Sequence, residues 1–141
     1  MDKPSANEST ENESTENKST DKPEDKDILL VFRHAPYGNA LAREGLEAAL
    51  ACGAMGAKTS VLYMNEAVWQ LLEPQNSSAI DCKNQAAMAS ALPLYDVDAI
   101  WVDEDSLKQR NLTSTDINAG KIIDRTRVQA LLATSKSILS F

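Results

Sequence analysis

Apolar residues gather in five short blocks along the chain, and the segments between them carry apolar residues at helical spacing. The blocks are "ILLVFR" (28–33), "TSVLYM" (59–64), "DAIWVDE" (98–104), "KIIDR" (121–125) and "SILSF" (137–141). Continuous apolar runs of this length suit strands covered on both faces, as in a parallel sheet. The fourth block is short enough to be either a strand or only an extended segment. In the first intervening segment, Leu46, Ala49, Leu50 and Gly53 recur at i, i+3, i+4 and i+7, which predicts a helix over 40–54 with a core stripe. Asn39 is placed to cap that helix, and glycines 53 and 56 to end it. "NEAVWQLL" (65–72) predicts a short helix capped by Asn65. "NQAAMASAL" (84–92) predicts a helix stopped near Pro93, and "DSLKQRN" (105–111) a short exposed one. "TRVQALLATSK" (126–136) predicts an amphipathic helix with Val128, Leu131 and Leu132 inward. Strand and helix alternate throughout, which means an α/β layer fold with a mostly parallel sheet.

The first 27 residues break this pattern. They hold no Ile, Leu, Val, Phe, Tyr, Trp or Cys and repeat a unit of the type Asn7-Glu8-Ser9-Thr10-Glu11. So polar a stretch buries too little apolar surface to offset its ordering entropy, and it is expected to be a disordered acidic tail before one α/β domain at 28–141. The tail carries nine acids and four lysines, net −5 of the chain's −7, so the domain is close to neutral at −2. That balance disfavours a broad nucleic-acid surface, which needs clustered Lys and Arg. The tail lacks the apolar core of a signal peptide, and no run reaches the ~20 apolar residues of a membrane span. A cytoplasmic protein is expected. Two cysteines are too few for a disulfide scaffold, and one histidine makes a His-rich metal site improbable.

Candidate chemistry concentrates in "FRHAPYGNALAREGL" (32–46), where the first strand would hand over to the first helix. Ligands of parallel α/β sheets sit beyond the carboxyl ends of strands. A phosphate loop would want several glycines there, and only Gly38 is present, without a following Lys-Ser/Thr. Pro36 and Gly38 read as a stiffened turn. His34 could act as a base or as a hydrogen bonder facing a partner, but no Ser or Cys is close in sequence. Arg43 and Glu44 read as solvated or interface groups, Glu44 favoured by the helix dipole. Cys52, among Ala and Gly, reads as a small buried residue. Cys82 precedes a helix, where the dipole and Lys83 would favour a thiolate while Asp81 opposes it. Trp69 and Trp101 read as core or interface. "ALPLYDVDAIW", with Tyr95, is more apolar than a surface connection and suggests burial against another subunit.

The stretches "ILLVFRHAPYGNALAREGLEAALA", "LYMNEAVWQLL", "LPLYDVDAIWV" and "ILSF" closely resemble the TusC/DsrF proteins of the DsrE/DsrF sulfur-relay family. The resemblance spans 28–141 and leaves out the acidic tail. It implies a three-layer α/β sandwich around a small, mostly parallel sheet of about five strands. It also implies membership of a heterohexamer with TusB/DsrH-like and TusD/DsrE-like subunits. Such a complex passes persulfide sulfur to a TusE/DsrC-like acceptor, toward 2-thiolation of the tRNA wobble uridine or, in the DsrF branch, in sulfur oxidation. The sulfur-carrying cysteine of these complexes belongs to the TusD/DsrE-like subunit. There it precedes a helix followed by small residues and an Arg-Arg-Gly-like segment. Cys82 precedes "NQAAMAS", but the Arg-Arg-Gly part is missing, so Cys82 is a candidate carrier only. His34, Pro36, Tyr37, Gly38, Arg43, Glu44, Tyr95 and Trp101 are expected at loops or interfaces. No cofactor and no metal are expected, and any tRNA contact is indirect.

Overall fold

The computed structural model describes residues 27–72, 85–97 and 99–141. The acidic tail, apart from Asp27, and Cys82 lie outside the described residues. The five apolar blocks become five strands: β1 (Ile28–Phe32), β2 (Thr59–Tyr63), β3 (Ala99–Asp103), β4 (Lys121–Ile123) and β5 (Ser137–Ser140). They form one sheet in the order β4-β3-β2-β1-β5, and every pairing is parallel. Parallel neighbours need a crossover between them, which is why helices separate the strands in sequence.

Alternation along each strand divides the core in two. Leu30, Phe32, Val61, Tyr63, Ile100 and Val102 lie on one face with the buried side of α1 (Leu41–Ala54). The same face packs the 3-10 helix Asn65–Leu71, the short helix α2 (Gln85–Ala89), the 3-10 turn Leu92–Tyr95 and Leu107 of α3 (Glu104–Gln109). Leu29, Val31, Leu62, Trp101 and Ile123 lie on the other face under Val128 and Leu131 of α4 (Arg125–Thr134). The result is a three-layer α/β sandwich. Each fully buried Leu, Val or Phe of these clusters contributes about 1.5–3 kcal/mol of transfer free energy.

Two close approaches set the seat of α1. A Cβ on Gly45 would stand 2.9 Å from Phe32 Cε1 and 3.0 Å from Phe141 Cγ, so only glycine lets the helix settle onto β1 and Phe141. A Cβ on Gly53 would stand 2.1 Å from the Tyr95 carbonyl oxygen, so the last turn of α1 rests directly against the 92–95 turn.

Four local readings change. Asn65 does not cap its helix: Met64 holds the N-cap position, and Asn65 adopts φ +55°. Asn tolerates that left-handed conformation, and Ser106 Oγ accepts the Asn65 N–H at 2.8 Å. Asn39 bonds the Leu41 N–H at 2.9 Å, but from one position before the N-cap, Ala40. Pro93 opens the 3-10 turn Leu92–Tyr95 rather than closing the preceding helix, since a proline in a first turn gives up no needed donor. The helix expected to be exposed at 105–111 is α3, with Ser106 and Leu107 buried. Asp103, at its N-cap, accepts from both the N–H and the hydroxyl of Ser106, which satisfies a serine that the sequence pattern reads as solvent-facing.

Candidate functional site

The strand order reverses at β1. The chain leaves β1 for β2 on one side, while β5 arrives on the other after β4 and α4. Such a reversal opens a crevice beyond the carboxyl ends of the two strands. Here that position is held by Arg33 and His34 after β1 and by Phe141 after β5, joined by the Arg33 N–H bonding to Phe141 O at 2.7 Å.

The loop from 33 to 40 leads from this end of β1 to α1. Arg33 and His34 are exposed, and Ala35, Pro36 and Tyr37 are half-buried. Gly38 takes φ +110°, a conformation that L side chains rarely adopt. The loop is braced from below: buried Gln70 donates from Nε2 to the His34 carbonyl oxygen at 2.8 Å. Phe32 and Tyr63 stack edge to face at 4.9 Å beneath it, and Phe32 meets Phe141 at 6.2 Å. Tyr63 is fully buried, and its hydroxyl has no hydrogen-bond partner among the described residues. Burial pushes that phenol far above its usual range, so it stays neutral.

No described nucleophile joins His34. Cys52 is half-buried near the far end of α1, about 16 Å of helix rise beyond Leu41. A phosphate is also poorly served. The Leu41 N–H already bonds Asn39, and Glu44 sets a carboxylate in the first turn. Arg43 pairs with Glu47 at 3.3 Å, both exposed, one turn apart on α1. Among the described residues no group of three or more His, Cys, Asp or Glu is placed to hold a metal ion. No described helix is long and apolar enough to cross a membrane.

A second cluster at the carboxyl ends is ionic and peripheral. Arg110 pairs with Glu66 at 2.9 Å, and Arg125 with Asp105 at 2.9 Å. The Arg110 guanidinium holds the Glu66 carboxyl below its usual range. A depression of about 410 Å³ before β4 is lined by Ser114, Ile117, Asn118, Ala119, Gly120 and Ile122, which include no titratable side chain.

The remaining candidates lie elsewhere. Trp101 is 5% exposed, on the α4 side of the sheet, with the Arg127 guanidinium 5.4 Å from its ring centre. Trp69 is half-buried, its indole N–H bonded to Glu66 at 3.0 Å. Tyr95 is 46% exposed, next to Leu94 at 83%. Met55, two residues past the Gly53–Tyr95 contact, is 86% exposed. These three exposed apolar side chains stand on the two segments that meet at the Gly53–Tyr95 contact. The segment around Tyr95 signalled it by composition; Met55, after the end of α1, gave no periodic signal.

The chain's relatives fit this architecture. Residues 26–141 match the DsrE/DsrF-like family as a whole. A protein named "Protein TusC homolog" from Vibrio vulnificus (strain YJ016) is 38% identical over 115 residues, covering 81% of this chain and 98% of that protein. "Intracellular sulfur oxidation protein DsrF" from Allochromatium vinosum is 33% identical over 131 residues, covering 82% and 96%. In structure, the ychN protein from E. coli superposes with a TM-score of 0.72 at 19% identity, covering 82% of this chain and 99% of that one, a likeness of fold. With its five parallel strands, its layered helices and a family match across the whole described domain, the chain belongs to the DsrE/DsrF-like family.

Proposed function

We propose that this chain is a pocket-forming subunit of a cytoplasmic sulfur-relay heteromer and does not itself carry the sulfur. In this reading it packs against a TusD/DsrE-like subunit that bears the persulfide, with a TusB/DsrH-like subunit completing the assembly. Sulfur then leaves to a TusE/DsrC-like acceptor, toward 2-thiolation of the tRNA wobble uridine. The observation that carries the reading is the exposure of the apolar side chains Met55, Leu94 and Tyr95, on a domain whose described cysteine, Cys52, lies far along α1 from His34. A persulfide is soft and easily lost to thiols, so a protein wall beside it has a chemical use. The near-neutral domain favours a protein neighbour over direct tRNA contact.

Co-expression with TusB- and TusD-like subunits tests the assembly. Leu94→Asp sets a charge on a side chain that is 83% exposed, so the isolated domain should keep its thermal midpoint. If these side chains lie in the interface, recovery of the heteromer should fall at least tenfold, the effect of about 1.4 kcal/mol. Full assembly with Leu94→Asp overturns the reading.

The DsrF-named relative favours a second reading, a role in intracellular sulfur oxidation. Deleting the gene separates the two. Loss of 2-thiouridine from tRNA supports the first, and intact tRNA with impaired sulfur oxidation supports the second.

A further inference from the structure

We propose that buried Gln70 locks the 34–35 peptide so that the Ala35 N–H is held out as a hydrogen-bond donor to a single anionic sulfur, thiolate or persulfide, presented by a neighbouring subunit. The sulfur as ligand rests on the relay reading above; the donor rests on geometry. Gln70 is 0% exposed, and its Nε2 donates to the His34 carbonyl oxygen at 2.8 Å, from 36 residues further along the chain. A planar trans peptide points its C=O and its N–H in opposite directions. With the His34 C=O turned onto Gln70, the Ala35 N–H faces away from it. That N–H bonds nothing among the described residues. Pro36 follows and has no N–H of its own, so Ala35 carries the last donor before the turn. Only the backbone of His34 is used.

Gln70 is itself held firmly. It sits on the 3-10 helix Asn65–Leu71, whose Ala67, Val68 and Leu71 are fully buried. The start of that helix is tied to α3 and the residue after it. The Asn65 N–H donates to Ser106 Oγ at 2.8 Å, and Arg110 donates to the Glu66 carboxylate at 2.9 Å. Arg110 also donates to the Ser106 carbonyl oxygen at 3.0 Å. The peptide that Gln70 grips is therefore set before any ligand arrives. A donor fixed in advance needs no reorganisation when a charge comes to it.

The surroundings suit one negative charge. From 28 to 43 the chain holds Arg33, His34 and Arg43 and no acid. Arg33 and His34 are exposed immediately before the donor. Arg43 is paired with Glu47, and Glu44 is exposed in the first turn of α1. One N–H falls short of the several donors a phosphate asks for, but it serves a single charged atom. A hydrogen bond to a charged acceptor is about twice as strong as one between neutral groups. The 14 residues of α1 rise about 21 Å from this loop toward Met55, less than the ~30 Å diameter of a small domain, so one neighbour lying along α1 can meet both ends.

The reconstituted heteromer tests this with two readouts. The first is the alkylation rate of the neighbour's sulfur-carrying cysteine against pH, which follows its thiolate. Gln70→Leu frees the peptide, and Ala35→Pro deletes the donor. A hydrogen bond to the charged form lowers a pKa, so either variant should raise that cysteine's apparent pKa by about one pH unit, tenfold in the thiolate–thiol equilibrium. The same shift from both assigns it to the Ala35 N–H, since the two changes disturb packing at different places. The second readout uses the wild type labelled with nitrogen-15. The Ala35 amide proton should move downfield when the heteromer is loaded with persulfide sulfur and return when iodoacetamide caps that sulfur. If the variants fail to fold or assemble, the wild-type amide decides alone. An assembled variant with an unchanged cysteine pKa, or a wild-type Ala35 amide that ignores loading, overturns the proposal and leaves the relay reading standing. Failure of the wild-type subunits to assemble overturns both.

Discussion

Replacing Tyr63 with Phe should stabilise this protein. Tyr63 is fully buried at the end of β2, against Phe32, and its hydroxyl bonds nothing among the described residues. Burying an unbonded hydroxyl costs about 1–3 kcal/mol on mutational scales. Removing the oxygen leaves a gap of about one atom, which takes back roughly 0.3 kcal/mol. A net gain of about 1–2 kcal/mol should raise the thermal midpoint by roughly 4–8 °C for a domain of this size. Thermal unfolding near neutral pH measures it. A pH series supplies a second arm. Burial raises the folded phenol far above its unfolded value of about 10. The native state therefore keeps a proton that the unfolded state releases. Stability from this group is complete below pH 10 and falls as pH rises above it, by up to about 1.4 kcal/mol per pH unit. Tyr63→Phe should lose that part of the alkaline decline. A midpoint that is unchanged or lower, with the alkaline decline intact, would refute the reasoning and assign the hydroxyl a bound water.

Gly53→Ala should destabilise the domain by about 1–3 kcal/mol by overpacking, because the added methyl meets the Tyr95 carbonyl; denaturant unfolding measures it. Asp103→Ala should cost about 1–2 kcal/mol by removing the cap of α3 and the acceptor of the buried Ser106 hydroxyl; denaturant unfolding measures it. Lowering pH should weaken the tie between Glu66 and Arg110. The carboxyl is held below its usual range, so its contribution is complete above the unfolded value and is lost as pH falls through the folded one; Glu66→Gln should flatten this part of the acid profile. His34→Gln should leave sulfur transfer by the reconstituted heteromer within about threefold of the wild type, since a general base contributes at least 10². A loss of that size would make the loop an active site.

The strands were legible because a sheet covered on both faces demands unbroken apolar runs, and β1, β2 and β3 supply them. β4 was ambiguous because three residues carry little pattern. β5 reads like a buried strand, and its exposure follows from strand order, which is not local information. The caps failed for a related reason. Asn65 looks like an N-cap in sequence, but its partner, Ser106, lies 41 residues away. The true caps of α3 and α4, Asp103 and Asp124, sit inside or just after strand patterns, where an acid reads as the end of an apolar run. The loop 33–40 was legible as a turn at a strand end. Its brace, Gln70, was not, because a lone Gln in a helical pattern carries no sign of burial.

Whether this chain ever carries sulfur decides between a pocket-forming role and a carrier role. The most direct measurement is the intact mass of every subunit of the reconstituted heteromer after loading with persulfide sulfur. A pocket-forming role predicts that the TusD/DsrE-like subunit gains a sulfur atom, that this chain gains none, and that Cys82→Ser relays at the wild-type rate. Sulfur on this chain that disappears with Cys82→Ser would contradict it.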